Sequence, residues 1–244
     1  MISTLQWHRN RLAAMNDLVL IPARGNSKGI PGKNIKPLNG RPLIFYTLDA
    51  ACEIADSRSI CVSTDSDEII ARVREYGLEV PFKRPAELAT DTAGSEEVIR
   101  HAIEFYQKIG TRPDRIILLQ PTSPFRTGSH VQQALALYED KLDMVLSVNE
   151  TKANPYFNLF EENEQGLLAP SKPANFNRRQ DCPAVYELNG AIYIINPARL
   201  RHRPIAQFTR IRKYVMPEED SLDLDTPLDW VYAEAILHYK LTRP

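Results

Sequence analysis

The chain has 244 residues, a formal net charge of −1, 43% hydrophobic and 25% charged residues. That length can bury one large core, and the proportions are those of an ordinary soluble globular protein. Near-neutral balance argues against a general nucleic-acid binder, and no apolar run approaches the roughly 18–20 residues that span a bilayer.

Residues 1–16 read as an N-terminal extension rather than a signal peptide, because Arg9 and Arg11 interrupt any apolar stretch. Residues 17–244 read as one domain. Cys52, Cys61 and Cys182 are far apart and form no metal-ligand spacing. That odd, scattered set predicts a reducing compartment, hence a cytoplasmic protein without structural zinc. Cys52 and Cys61 are expected as small core residues.

The short apolar run at 18–21 predicts a buried strand, followed at once by a Gly-, Lys- and Arg-rich turn. From Leu18 to Leu48 no acidic residue stands against five cations, Arg24, Lys28, Lys33, Lys36 and Arg41. In an α/β fold, ligands bind outside the carboxyl end of a strand. Glycines such as Gly25 let the backbone approach, and backbone N–H groups with cations suit a phosphate. A solvated basic loop is the competing expectation. The turn fails the Walker A pattern at Ser27 and Asn34, and Gly25, Gly29 and Gly32 miss the dinucleotide spacing.

Next come an expected helix at 42–55, with Leu43, Tyr46, Leu48, Ala51 and Ile54 on one side, and a short β-branched strand at 59–63. A helix at 66–76 stops at Gly77, and 78–82 is expected as another strand. This alternation predicts a Rossmann-like α/β domain, a mostly parallel sheet with helices on both faces.

Ser95 opens a helix at 96–109, either as its N-cap or with its hydroxyl toward a bound nucleotide. The strand at 115–120 ends in Gln120, whose amide suits either the edge of a base or sugar or the anchoring of its own turn. A helix at 129–140 leads to a strand at 143–148. The stretch 149–187 then turns polar and Pro-rich, a long insertion of the kind that usually carries function. Strands at 189–196 and 212–216 follow. A final helix at 227–240 is expected to bury Leu228, Val231, Ala235, Leu237 and His238.

In extended chain, Asp223 and Asp225 share a face, roughly 7 Å apart at Cα, while Leu222 and Leu224 point to the core. Two carboxylates so placed suit Mg²⁺ or Mn²⁺, with phosphate oxygens and waters completing the shell. Capping of the last helix is the alternative, since Pro227 favours a first helical position.

As a set these segments resemble the acylneuraminate cytidylyltransferases, a family with a nucleotide-diphospho-sugar transferase fold. The matching segments are IPARGNSKGIPGKN from Ile21, VSTDSDEI from Val62, RPAELATDTAGS from Arg84, LLQPTSPFRTG from Leu118, RRQDCPAVYELNGAIYI from Arg178 and DSLDLDTPLDW from Asp220. The resemblance implies CTP and a nine-carbon 2-keto acid sugar as substrates, and a homodimer or tetramer. It implies that the 149–187 insertion protrudes for dimerisation and donates residues to the partner's sugar site. It also implies that Arg24, Lys28 and Lys33 hold the triphosphate, with Gly25, Asn34 and Ser95 at the nucleotide. Gln120, Arg179, Gln180 and Asn189 are implied on the sugar side. Tyr193 joins them there, although a place in a strand core is its stronger expectation. Asp223 and Asp225 are implied as the Mg²⁺ ligands. Within the family the NPYFNL stretch from Asn154 leans toward the legionaminate members, and a sister family uses the eight-carbon acid Kdo.

Overall fold

A computed structural model describes residues 16–90 and 92–242; the extension at 1–16 therefore lies outside them except for Asn16. Strand β1 (Asp17–Pro22) leads through the glycine-rich loop to a small ribbon, β2 (Pro37–Leu38) and β3 (Arg41–Pro42), and then helix α1 (Leu43–Cys52). Strand β4 (Ile60–Ser63), helix α2 (Asp67–Tyr76), helix α3 (Ser95–Lys108) and strand β5 (Arg115–Leu118) follow. Helix α4 (Gly128–Ala136) precedes strand β6 (Met144–Glu150) and the hairpin β7 (Phe160–Glu162)–β8 (Leu168–Pro170). Strand β9 (Tyr186–Ile195), the short α5 (Pro197–Leu200), strand β10 (Ile211–Val215) and helix α6 (Pro227–Thr242) complete the chain.

Six strands form one sheet in the order β10-β6-β9-β5-β1-β4. Every pairing is parallel except those of β9, which runs against β5 and β6. The period-2 alternation of β1 shows why helices cover both faces. Val19 and Ile21 pack with Ile44 and Leu48 of α1, Val73 of α2 and Val131 of α4. Leu18 and Leu20 pack on the other face with Ile99 and Ile103 of α3. A third cluster seats Trp230 and Ala233 of α6 against Ile30, Leu38, Phe125 and Leu224.

Several expectations change. Residues 78–82 form no strand; the next residue, Lys83, makes a single parallel bridge to Thr64, just beyond the end of β4. Cys52 is exposed at the end of α1, whereas Cys61 is buried in β4. Helix α4 stops at Ala136, four residues short of the expected end. Helix α6 buries a largely different set from the one expected: Trp230 and Ala233 face inward with Leu237 packed against their cluster, while Leu228 and Val231 are more than half exposed. Apolar residues occur all round this helix, so periodicity alone could not choose its inner face.

At the amino end of β6, Asp143 is fully buried. Its carboxylate accepts from Arg203 at 2.6 Å and from the backbone N–H groups of Thr209 and Arg210 at 3.0 and 2.9 Å. Burial opposes ionisation, but these donors together hold the carboxyl below its ordinary value of 3.8. The stability it contributes is therefore present above that value and is lost only as pH falls through the lower folded-state value. Asp143→Ala should cost about 3 kcal/mol in denaturant unfolding at neutral pH, as unpairing a buried ion does. A loss below about 1 kcal/mol, the range of an exposed pair, would contradict this assignment.

Candidate active site

The parallel strands β1, β4 and β5 carry Arg24, Asp65 and Gln120 to the same edge of the sheet, just beyond their carboxyl ends. From β1 the chain steps to β4 on one side and then to β5 on the other. That reversal opens the crevice in which α/β sheets bind ligands.

The loop after β1 is held open by its own contacts. Gly25 N–H donates to Asp65 Oδ1 at 2.9 Å, and a side chain at Gly25 would meet Ser66 Cβ at 2.9 Å. The buried Asn34 amide donates to the Arg24 carbonyl at 2.9 Å, which closes the base of the loop. Arg24 reaches the Thr90 carbonyl at 3.2 Å. Lys28 stands exposed on the loop, outside the lining of the cleft.

Lys33 follows Gly32, which takes a left-handed φ of 61°. Its ammonium, on a side chain only 11% exposed, donates to the Leu224 carbonyl at 2.6 Å and to Asp225 Oδ1 at 3.1 Å. Gly29 sits so close that a Cβ there would lie 2.1 Å from the Asp225 carbonyl oxygen. Leu224 is fully buried, and its N–H donates to the Thr122 carbonyl at 2.9 Å. The segment carrying the two aspartates is thus clamped from both sides.

Neither aspartate caps α6. Thr226 does, accepting from Asp229 N at 3.3 Å, while Asp229 Oδ2 accepts from Thr226 N at 2.6 Å, a reciprocal cap. Asp223 is partly buried, and its Oδ1 has no hydrogen-bond partner. Burial chiefly, with Asp225 adding to it, pushes the Asp223 carboxyl above its ordinary range. A desolvated, unpartnered carboxylate oxygen beside a second, exposed carboxylate is a donor set that fits a hard divalent cation sharing its shell with ligand oxygens and water. Among the described residues no cluster of three or more potential metal ligands occurs, so such a cation would depend on the ligand for the rest of its shell.

Beside the Lys33 loop lies a cleft of about 280 Å³ whose lining includes Arg24, Lys33, Asn34, Arg84, Ser95 and Gln120, but neither Asp223 nor Asp225. Ser95 is the first residue of α3; Gly94 holds the N-cap position, without a side-chain cap. Arg84 was not singled out in the sequence. It is buried, its Nε donates to Ser63 Oγ at 3.0 Å, and burial lowers its pKa to about 10. Arg126, also missed, lies fully buried behind Gln120. Its Nη1 donates to the Gln120 and Ala191 carbonyls at 3.0 and 2.7 Å and its Nη2 to Thr47 Oγ1 at 2.6 Å, while burial lowers its pKa to about 9. A cation amid apolar neighbours carries no sequence signal of burial; only the fold reveals it.

Strand β9 bulges opposite Ser147, where the register with β6 jumps. Gly190, at φ 69°, sits on the bulge, where a Cβ would stand 2.9 Å from Gln120 Oε1 and 3.2 Å from Asp223 Oδ2. The buried Asn189 amide accepts from Ser147 Oγ at 2.6 Å and donates to Ser221 Oγ at 3.0 Å, so its polar atoms brace the bulge. Tyr193 packs against the core on the α3 face, and burial, with Asp223 contributing, raises its pKa. Arg179 and Gln180 lie exposed in the insertion and line neither the cleft nor the neighbouring groove. That groove, of about 620 Å³, runs between β9 and α6; Asp223 lines it, together with Leu188, Tyr232, Ile236 and Tyr239.

Residues 18–240 match a family model described as cytidylyltransferase. A CMP-N,N'-diacetyllegionaminic acid synthase of Legionella pneumophila is 31% identical over 91% of this chain and 97% of its own length. An N-acylneuraminate cytidylyltransferase of Streptococcus agalactiae is 35% identical over 89% of this chain, which spans 52% of that longer protein. Among solved structures, a CMP:2-keto-3-deoxy-manno-octonic acid synthetase complexed with CTP superposes with a TM-score of 0.65 at 19% identity, over 92% of this chain and 99% of that one. At that identity the likeness speaks for the fold alone.

Gly29→Ala tests the clamp on the aspartate segment. An added Cβ must displace the loop or Asp225 by about 1 Å, a shift that can cost roughly 10²-fold in rate. Steady-state activity should fall to that extent with the fold retained by far-UV circular dichroism, and the forced shift should lower stability by about 1–3 kcal/mol. Unchanged activity would show that the contact does not position the site.

Proposed function

The chain belongs to the cytidylyltransferase family, and we propose from that premise that it joins CTP to a nine-carbon 2-keto sugar acid, giving the CMP-sugar and pyrophosphate. N-acetylneuraminate or a legionaminate-type acid is the proposed acceptor, in keeping with what the relatives' names say of those proteins. One observation carries this proposal. Two aspartates not used as helix caps stand against the cationic loop after β1, with Asp225 paired to Lys33, beside a cleft at the carboxyl end of the sheet.

In the proposed complex, Arg24, Lys28 and Lys33 hold the triphosphate and offset the charge that builds on departing pyrophosphate. Gly25 and Asn34 shape the loop, and Ser95 meets the nucleotide from the start of α3. Asp223 and Asp225 hold Mg²⁺ or Mn²⁺, which when bound supplies charge neutralisation at the phosphates. Gln120, supported from behind by Arg126, and Tyr193 orient the sugar so that its anomeric hydroxyl lies in line with the α-phosphorus. A new P–O bond forms there as the bond to the β-phosphate oxygen breaks. Positioning and fixed charge supply most of the rate in such a transfer.

We further propose a homodimer, or a tetramer of such dimers, in which the 149–187 insertion reaches the partner's groove. Two exposed apolar surfaces support this. The insertion presents Phe157, Phe160 and Leu168, and the groove presents Leu188, Tyr232 and Tyr239, all more than 40% exposed. Arg179 and Gln180 of the insertion would then meet the partner's sugar, where a guanidinium suits the sugar carboxylate. The proposed location is the cytoplasm, in keeping with the three free cysteines. Among the described residues no helix is long and apolar enough to cross a membrane.

Pyrophosphate release from CTP and Mg²⁺ with a panel of nine- and eight-carbon acids tests the proposal. Release with a nine-carbon acid is expected. Release with the eight-carbon acid alone, or with none, would overturn it. Asp223→Asn and Asp225→Asn should each lower turnover at least about 10²-fold, as loss of a key transition-state stabiliser does, with far-UV circular dichroism unchanged. Near-normal turnover in both would refute the metal assignment.

A further inference from the structure

The aspartate segment beside the cleft already carries a cation. Lys33 Nζ stands 3.1 Å from Asp225 Oδ1 and 2.6 Å from the Leu224 carbonyl oxygen, and the Lys33 side chain is 11% exposed against 72% for Asp225. The ammonium is therefore held inside the protein while the carboxylate's other side is open to solvent. Asp223, two residues away, keeps Oδ1 without a partner. Lys33 also lines the nucleotide cleft, so one flexible side chain lies within reach of both the aspartate segment and any phosphate in the cleft.

A divalent cation approaching Asp225 meets that fixed ammonium. The two cations compete for the same carboxylate charge and repel each other at close range. A triphosphate removes the conflict, since it offers Lys33 a second anion and gives the metal further oxygen ligands. We propose that Lys33 is a resident stand-in cation at Asp225: it keeps the nucleotide-free protein poor in metal and transfers to the phosphates when nucleotide binds, so that metal and nucleotide enter together. This rests on the assignment of Asp223 and Asp225 as metal ligands. It adds an order of assembly and a second role for Lys33, distinct from gripping phosphate.

The two roles predict opposite effects of one substitution. Lys33→Met should weaken metal-free CTP binding, because a phosphate partner is lost. It should also tighten binding of Mn²⁺ alone, by about tenfold, the consequence of removing one close like charge. Calorimetric titration of metal-free CTP into wild type and Lys33→Met reads the first effect, and Mn²⁺ titration by electron paramagnetic resonance on nucleotide-free wild type, Lys33→Met and Asp225→Asn reads the second. Tighter Mn²⁺ binding in Lys33→Met and none in Asp225→Asn is the expected result. Equal or weaker binding in Lys33→Met, with Asp225→Asn still losing the metal, overturns the stand-in role while leaving the metal site intact. Binding that ignores Asp225 overturns both. A measurement on the wild type guards against a misfolded variant: acylation of Lys33, followed by mass spectrometry, should rise when saturating Mn²⁺ is added without nucleotide. Unchanged labelling would contradict displacement of the ammonium.

Discussion

The bond from Lys33 to Asp225 spans 192 residues of sequence, and it joins a lining residue of the cleft to the aspartate segment beside it. The loop after β1 and the segment after β10 carry only short 3-10 turns, Lys33–Ile35 and Glu218–Asp220, and share no strand or helix that would fix their separation. What fixes it is one ammonium on a backbone carbonyl and a carboxylate, together with the backbone contact at Gly29. Neither contact involves apolar burial, but both are anchored by it. Leu224 lies in the third core cluster with Ile30 and Trp230, and so ties both segments to the seat of α6. Burial supplies the adhesion and the polar contacts set the spacing, the usual division between non-directional and directional forces.

The bulge in β9 plays the same part on the other side. An antiparallel strand in an otherwise parallel sheet brings its amino-terminal half to the edge where its neighbours end. Ser147 and Asn189 stabilise the excess residues, and Gly190 allows Gln120 and Asp223 to approach without a side chain between them. Arg126 then joins the Gln120 and Ala191 carbonyls from beneath. A guanidinium buried among neutral acceptors is costly. Its position one layer below the proposed nucleotide site places its charge where a polyanion would gain from it.

Much of the fold was legible because burial imposes periodicity. The alternation of Leu18 and Leu20 with Val19 and Ile21, and the apolar runs of β5 and β6, follow directly from a sheet covered on both faces. The chain from 78 to 82 was misread because a short apolar stretch looks alike whether it pairs or merely docks on a strand. Helix α6 was turned the wrong way for a related reason: it carries apolar residues on two sides, and only one of them meets this chain's own core. The site divided similarly. Arg24, Lys33, Asn34, Ser95 and Gln120 stood out by residue type at strand ends, and the fold brings them to one cleft. Arg84, Arg126 and Gly190 did not stand out, because their places depend on contacts between segments far apart in sequence. The freeing of Asp225 from a capping role likewise required seeing Thr226 and Asp229 take that role.

A single arrangement underlies the account: one CTP lying between the Lys33 loop and the aspartate segment. A crystal structure with CTP and Mg²⁺ tests it most directly. The account predicts the triphosphate along Arg24 and Lys33, the α-phosphate facing Asp223 and Asp225, and the nucleoside toward Ser95 and Arg84. Nucleotide seated instead in the groove of Leu188 and Tyr239, with Lys33 still paired to Asp225, would contradict it.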